Sequence, residues 1–203
     1  MAELRLNPVT RRWIVTGKRA VMPDVLEVDG LCPFCPGNER LTPKAIEELR
    51  DASGAWMTRV FHDRAPIFQV EAPLNPRAEG LYDHMNTLGA HEVVVDTPQH
   101  GISMGALPEE QMARVIEVCR DRILDLKQDR RFRYVSLFKD QRDITPPWLT
   151  HSLSQILASP VLREEGTLPV LRHGGAGSAA GQARRGPEPG LHRVVPLRVA
   201  LPV

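Results

Sequence analysis

What this chain can fold into is set by a break in its composition after residue 161. Residues 162–203 contain no Lys, Ile, Met, Phe, Tyr or Trp; their 42 positions hold seven Gly and five Pro, with six Arg against three Glu. Such a stretch cannot bury enough apolar surface to offset the entropy of ordering it, so a disordered tail is expected there. Residues 1–161 keep 20 basic and 22 acidic side chains and every Ile, Met, Phe, Tyr and Trp, and read as one globular domain.

The formal charge of the 203-residue chain is +1, which argues against a protein that holds nucleic acid by bulk charge. No run approaches the ~18 apolar residues of a membrane span. The opening MAELRLNPVTRRWIV is unlike a signal peptide, because its apolar run is short and charges interrupt it. The expectation is a cytoplasmic protein with neither nucleic acid nor membrane as a partner. Three cysteines, an odd number, then suggest metal or free thiols rather than a disulfide framework.

Periodicity gives an α+β reading of the first 161 residues. RRWIVTG is a short strand ended by Gly17, and Glu92 to Asp96 is a second. Leu107 to Asp129 reads as a helix, with Pro108 in its first turn and Glu109 and Glu110 complementing the positive end of the dipole. Met112, Val115, Ile116, Cys119, Ile123 and Leu126 recur at three- and four-residue steps as one buried stripe, which makes Cys119 a core residue. RYVSLFKD is a strand, and a second helix is expected through Leu153 to Leu157. That order suggests an antiparallel or mixed sheet with helices on one face.

Cys32-Pro-Phe-Cys35 is the sharpest local feature. Two cysteines at this spacing can turn both sulfurs toward one ion, and thiolates suit zinc. The same spacing also fits two small buried hydrophobes or a redox dithiol. His62, His84, His91, His100 and His151 could complete a metal site, and pattern alone does not choose among them.

Taken together, LRLNPVTRRWIV, CPFCPGNE with Thr42-Pro43 after it, GAHEVVVDTPQH, the LPEEQ helix start, RFRYVSLFKD and HSLSQILASP resemble galactose-1-phosphate uridylyltransferase and its nucleotidyltransferase relatives in the histidine-triad superfamily. The strings follow that family's order across about the first 160 residues. The H-S-x-S-Q form is equally similar to the ADP-glucose phosphorylase branch, so the nucleobase stays open. The resemblance implies a histidine-triad-like fold with a structural zinc on Cys32, Cys35, His100 and His151. It also implies a double displacement in galactose metabolism, in which a histidine takes a nucleotidyl group from a UDP-sugar or ADP-sugar and passes it to a hexose 1-phosphate.

In the resemblance the nucleophile is the second histidine of H-x-H-x-Q, and here that position is Leu153. A hydrocarbon side chain has no lone pair for phosphorus, and losing a covalent nucleophile costs orders of magnitude in rate. Ser152 and Ser154 have no neighbouring base in the sequence. Gln155, the phosphate-contacting glutamine, is retained, as is Arg19, which matches a substrate-side arginine; Met22 stands at the other such position. RVFHDRAPIF resembles a uridine-contacting segment but carries Asp63 where Asn is usual. Lys139 survives, whereas the next position is Asp140 instead of Asn. The following QRDITPPW replaces a Gly-rich loop and a Ser, so Asp143 adds negative charge, Pro146 and Pro147 remove amide donors, and Trp148 is bulky.

These departures imply an impaired or inactive transferase, or a catalytically silent nucleotide-binding module. The resemblance also implies a second, duplicated half that supplies part of the site and of a homodimer surface, and nothing after Pro160 resembles it. The tail's Arg, Gly, Pro and Ala bias is that of GC-rich DNA read out of frame. LHRVVPLRVALPV can be encoded so that a one-base shift gives FTASCPFASRFPF, similar to a string of that second half. The expectation is a domain over 1–161, then a low-complexity, disordered Arg/Gly/Pro/Ala tail over 162–203, the product either of a frameshift near residue 162–170 or of a natural Arg-rich tail for weak anionic contacts.

Overall fold

The computed structural model describes residues 2–17, 31–139 and 151–161. Arg19, Met22, Asp140, Asp143, Pro146, Pro147, Trp148 and the 162–203 tail lie outside the described residues.

Among the described residues the chain forms nine strands and one α-helix. The strands are β1 (Glu3–Leu6), β2 (Trp13–Thr16), β3 (Glu47–Arg50), β4 (Trp56–His62), β5 (Arg77–Glu79), β6 (Tyr82–Asn86), β7 (Ala90–Val95), β8 (Tyr134–Phe138) and β9 (Leu153–Ser159), with α1 (Glu109–Leu126) between β7 and β8. A four-stranded sheet runs β2-β1-β6-β5 and a five-stranded sheet runs β3-β4-β7-β9-β8. Every strand pair in both is antiparallel, so the expected α+β class holds.

The five-stranded sheet is covered on both faces, and its central strand shows why. All six residues of β7 are buried. Ala90 and Val94 join Val60, Ile156 and Ala158 beneath Val115, Val118, Cys119, Ile123 and Leu126 of α1. Glu92, also on the helix side and fully buried, is held by Arg122 of α1 through two bonds of 2.9 and 2.7 Å. On the opposite face Val93 and Val95 pack with Cys32, Phe34, Trp56 and Phe61. The four-stranded sheet closes the rest of that face, where Leu4, Val15 and Met85 meet Ile67, Phe68 and Leu157. A strand buried on both sides reads as a continuous apolar run, which is the pattern of VVV.

Three expectations are corrected. Residues 153–157 belong to strand β9, not to a helix. Leu153, Ile156 and Leu157 mimic a helical stripe, but Ser154, Ile156 and Ala158 face α1 while Leu153, Gln155 and Leu157 face the other way. With both faces covered, the polar/apolar alternation that marks a half-buried strand is blurred. In α1 the stripe is also turned. Ile116 is 55% exposed, whereas Gln111 and Val118 are buried, so the helix meets the sheet along Val115, Cys119 and Leu126. Pro108 stands at the N-cap rather than inside the first turn, which Glu109 and Glu110 occupy as expected.

Gly89 fixes how β7 enters. Its φ is +154°, and a Cβ there would lie 2.1 Å from the Ala158 carbonyl oxygen and 2.9 Å from the Phe68 Cβ. Only glycine lets the backbones approach so closely.

Candidate functional site

The Cys-Pro-Phe-Cys segment is a turn held by its own backbone. The Cys35 amide donates to the Cys32 carbonyl at 3.3 Å, and the Asn38 amide donates to Cys35 at 3.1 Å. The Asn38 side chain adds a 2.8 Å bond to the Cys32 carbonyl, and Gly37, at φ +88°, turns the chain away. Both sulfurs are thereby turned toward the end of β7 and the start of β9. His100 follows β7 in the 97–101 turn, and His151 lies two residues before the start of β9.

Cys32, Cys35, His100 and His151 each offer one ligand atom, and the four atoms lie within 4.8 Å of one another. Cys32 Sγ is 3.6 Å from His151 Nδ1, Cys35 Sγ is 3.5 Å from His100 Nδ1, and Cys35 Sγ is 3.9 Å from His151 Nδ1. A tetrahedron with Zn–S of about 2.3 Å and Zn–N of about 2.0–2.1 Å has S···N edges of about 3.6 Å. The donor set therefore fits one tetrahedral ion, with Cys32 and His151 buried and His100 on the exposed rim.

The surroundings favour the same use. His151 Nε2 lies 2.6 Å from the Thr97 carbonyl and donates to it, which leaves the Nδ1 lone pair facing the sulfurs. Burial holds the His151 imidazole below the ordinary histidine range, which favours the neutral form a metal ligand needs. Burial pushes the Cys32 thiol up to about 11, a result for two sulfurs with no cation beside them. A bound ion reverses that balance by stabilising the thiolates. Cys119 is different: burial first, then the Asp96 charge, raises its thiol to about 12 under α1, and it stays inert core.

A polar lock sits beside His151 on the helix side of the sheet. Lys139, just past β8, donates to Asp96 Oδ2 at 2.6 Å, to Ser152 Oγ at 2.9 Å and to the Leu153 carbonyl at 2.9 Å. Ser152 donates to the same Asp96 oxygen at 2.9 Å, and the Asp96 amide donates to the Ser152 carbonyl at 3.1 Å. Asp96 is fully buried and its Oδ1 has no hydrogen-bond partner among the described residues. The cluster ties the ends of β7, β8 and β9 together around His151. Ser152 has charged neighbours after all, but its hydroxyl is buried, accepting from Lys139 and donating to Asp96, away from the face that carries Gln155.

On the other face, Leu153 packs against Cys32, Phe34, Trp56, Phe61, Val93 and Val95. Gln155 lies two residues along the same face, and its Oε1 is 2.9 Å from His91 Nε2. Asp63, 8% exposed, places Oδ2 3.4 Å from the same nitrogen. The structure thus brings Leu153, Gln155 and Asp63 to one face of the sheet and the four metal donors to its edge. Sequence reasoning weighed His91 only as a spare metal ligand and missed its partners. It also missed Asp96, whose pairing with Lys139 and Ser152 depends on strand register.

No family model matches the chain. A search of curated proteins finds galactose-1-phosphate uridylyltransferase of Thermotoga maritima at 30% identity over 167 residues, covering 80% of this chain and 48% of that protein. ADP-glucose phosphorylase of Arabidopsis thaliana is 26% identical over 172 residues, covering 79% of this chain and 49% of that protein. Among solved structures, a uridylyltransferase matches with TM-score 0.61 at 27% identity, covering 79% of this chain and 46% of the other. The ADP-glucose phosphorylase from Arabidopsis thaliana with bound ADP-glucose matches with TM-score 0.56 at 27% identity, covering 80% and 50%. The chain spans about half the length of the relatives it matches.

Proposed function

We propose that this chain, a partial member of the galactose-1-phosphate uridylyltransferase family, keeps a zinc-stabilised sugar-nucleotide fold and has lost the covalent step of nucleotidyl transfer. The ancestral activity on this reading is uridylyl exchange between UDP-glucose and a hexose 1-phosphate in galactose metabolism. In that double displacement an imidazole nitrogen bonds the α-phosphorus as the sugar phosphate leaves, and a second sugar phosphate then reverses the step.

The observation that carries the reading is the setting of Leu153. It stands two residues after a metal-ligand histidine and two before Gln155, on the face that carries Gln155 and His91, and it is a hydrocarbon packed among Val93, Val95 and Phe34. Neither neighbour replaces the missing nucleophile, since Ser152 and Ser154 are both buried on the helix side, away from the Gln155 face. Zinc on Cys32, Cys35, His100 and His151 would be structural: four protein ligands close the tetrahedron and leave no position for substrate, and its binding energy adds to folding.

For the nucleotide, Gln155 and Asp63 are the described residues nearest the proposed site, with Arg19 and Asp140 assigned by resemblance alone. The likeness to ADP-glucose phosphorylase supports a second reading in which adenine replaces uracil. Calorimetry of the metal-loaded full chain with UDP-glucose and with ADP-glucose decides between them, and binding of neither overturns the proposal. Leu153→His supplies the complementary test. With α-labelled nucleotide sugar the variant is expected to gain an acid-labile adduct that the parent lacks. A labelled parent would refute the loss of the covalent step.

A further inference from the structure

From the contacts of His91 we infer that it is a positioning residue, one that fixes the Gln155 side chain so that its amide NH2 faces outward as a donor for an anionic oxygen of the ligand. The inference rests on the proposed sugar-nucleotide reading only for the identity of that ligand, a phosphoryl group.

His91 is 1% exposed, in the middle of the fold between the metal edge and the small sheet. Its two nitrogens are set by different neighbours. The Ile67 backbone N–H donates to Nδ1 at 3.3 Å, so Nδ1 carries the lone pair. Nε2 therefore carries the proton, and Gln155 Oε1 accepts it at 2.9 Å. A glutamine side chain has one oxygen and one NH2, and binding the oxygen inward aims the NH2 the other way. No other hydrogen bond of the Gln155 side chain occurs among the described residues, and Gln155 is only half-buried on its strand. Asp63 strengthens the choice. Its Oδ2 lies 3.4 Å from His91 Nε2, its Oδ1 accepts from the Ala65 amide at 2.8 Å, and its own amide donates to the His91 carbonyl at 2.8 Å. A carboxylate beside Nε2 favours the proton there, and hence the same amide orientation.

The register makes this arrangement specific. Val93 is the direct partner of Gln155 and Leu157 that of His91, so His91 and Gln155 meet as a diagonal pair on one face. A residue at 91 without a donor at the Nε2 position would release the amide to rotate, and half its orientations would show an oxygen to the ligand.

The test uses the full chain. Nitrogen-15 NMR is expected to show the Nε2–H tautomer of His91 and, by relaxation, a rigid Gln155 side-chain NH2 group. His91→Gln, which keeps a donor near Nε2, is expected to preserve that rigidity and nucleotide-sugar affinity within about threefold. His91→Leu is expected to lose that rigidity and weaken binding of UDP-glucose or ADP-glucose by about tenfold or more, as for a hydrogen bond to a charged group. An Nδ1–H tautomer, or a Gln155 amide unchanged in His91→Leu, overturns the inference. If His91→Leu does not fold, the tautomer and the His91→Gln spectrum decide. If the parent binds neither nucleotide sugar, the functional reading fails while the NMR result still judges the positioning role.

Discussion

Lys139→Met removes an ammonium that three acceptors share at the end of the central sheet. Asp96 is fully buried, Oδ1 has no partner among the described residues, and Oδ2 relies on Lys139 at 2.6 Å and Ser152 at 2.9 Å. Without Lys139 the carboxylate keeps one neutral donor and no compensating charge. Breaking a buried ion pair from one side costs about 3–5 kcal/mol. The Leu153 carbonyl and Ser152 hydroxyl also lose a donor, worth about 1 kcal/mol each at most where water can replace it. The lysine side chain is 17% exposed, so some water entry is expected and the lower half of the range applies, about 3–4 kcal/mol. Urea unfolding of the metal-loaded protein measures it. Asp96→Asn in the same chain isolates the charge. The double variant should recover at least half of the loss, because no carboxylate is then left buried alone. A Lys139→Met variant within about 1 kcal/mol of the parent, or a double variant no better than the single, would refute the reasoning.

Two further predictions use other parts of the molecule. Gly89→Ala places a methyl 2.1 Å from the Ala158 carbonyl oxygen, so β7 and β9 must separate; a loss of about 3 kcal/mol or more in chemical denaturation is expected, and a neutral outcome would contradict the close approach. In metal-free protein the Cys32 thiol ionises near 11 when folded, above its ordinary value of 9.0. The unfolded chain loses that proton first, so between about pH 9 and pH 11 the folded state binds more protons and stability falls as pH rises. Metal loading pins the thiolate and should abolish that alkaline loss, which thermal melts with and without chelator compare directly.

The parts of the fold that were legible in the sequence are those whose signal is local. VVV in β7, the apolar steps of α1 and the Cys-x-x-Cys turn each carry their instruction within a few residues. Residues 153–157 were misread because burial on both faces removes the alternation by which a strand is recognised. Ile116 fits the helical spacing of the stripe, yet α1 sits rotated toward Gln111, whose amide donates to the Asp96 carbonyl at 2.7 Å, and no one-dimensional pattern encodes that contact. In the site, two of the candidate metal donors were visible as cysteines, but choosing His100 and His151 from five histidines took the family resemblance. The Lys139–Asp96–Ser152 lock and the His91–Gln155 pair were out of reach, because both depend on how β7, β8 and β9 align, which is a property of the assembled sheet.

The central claim is that the scaffold persists where the nucleophile is gone. Intact-mass measurement of the metal-loaded parent chain, after incubation with saturating UDP-glucose and ADP-glucose, tests it most directly. The account predicts an unchanged polypeptide mass under conditions where calorimetry records binding. A mass gain of one nucleotidyl group on the parent chain would contradict it.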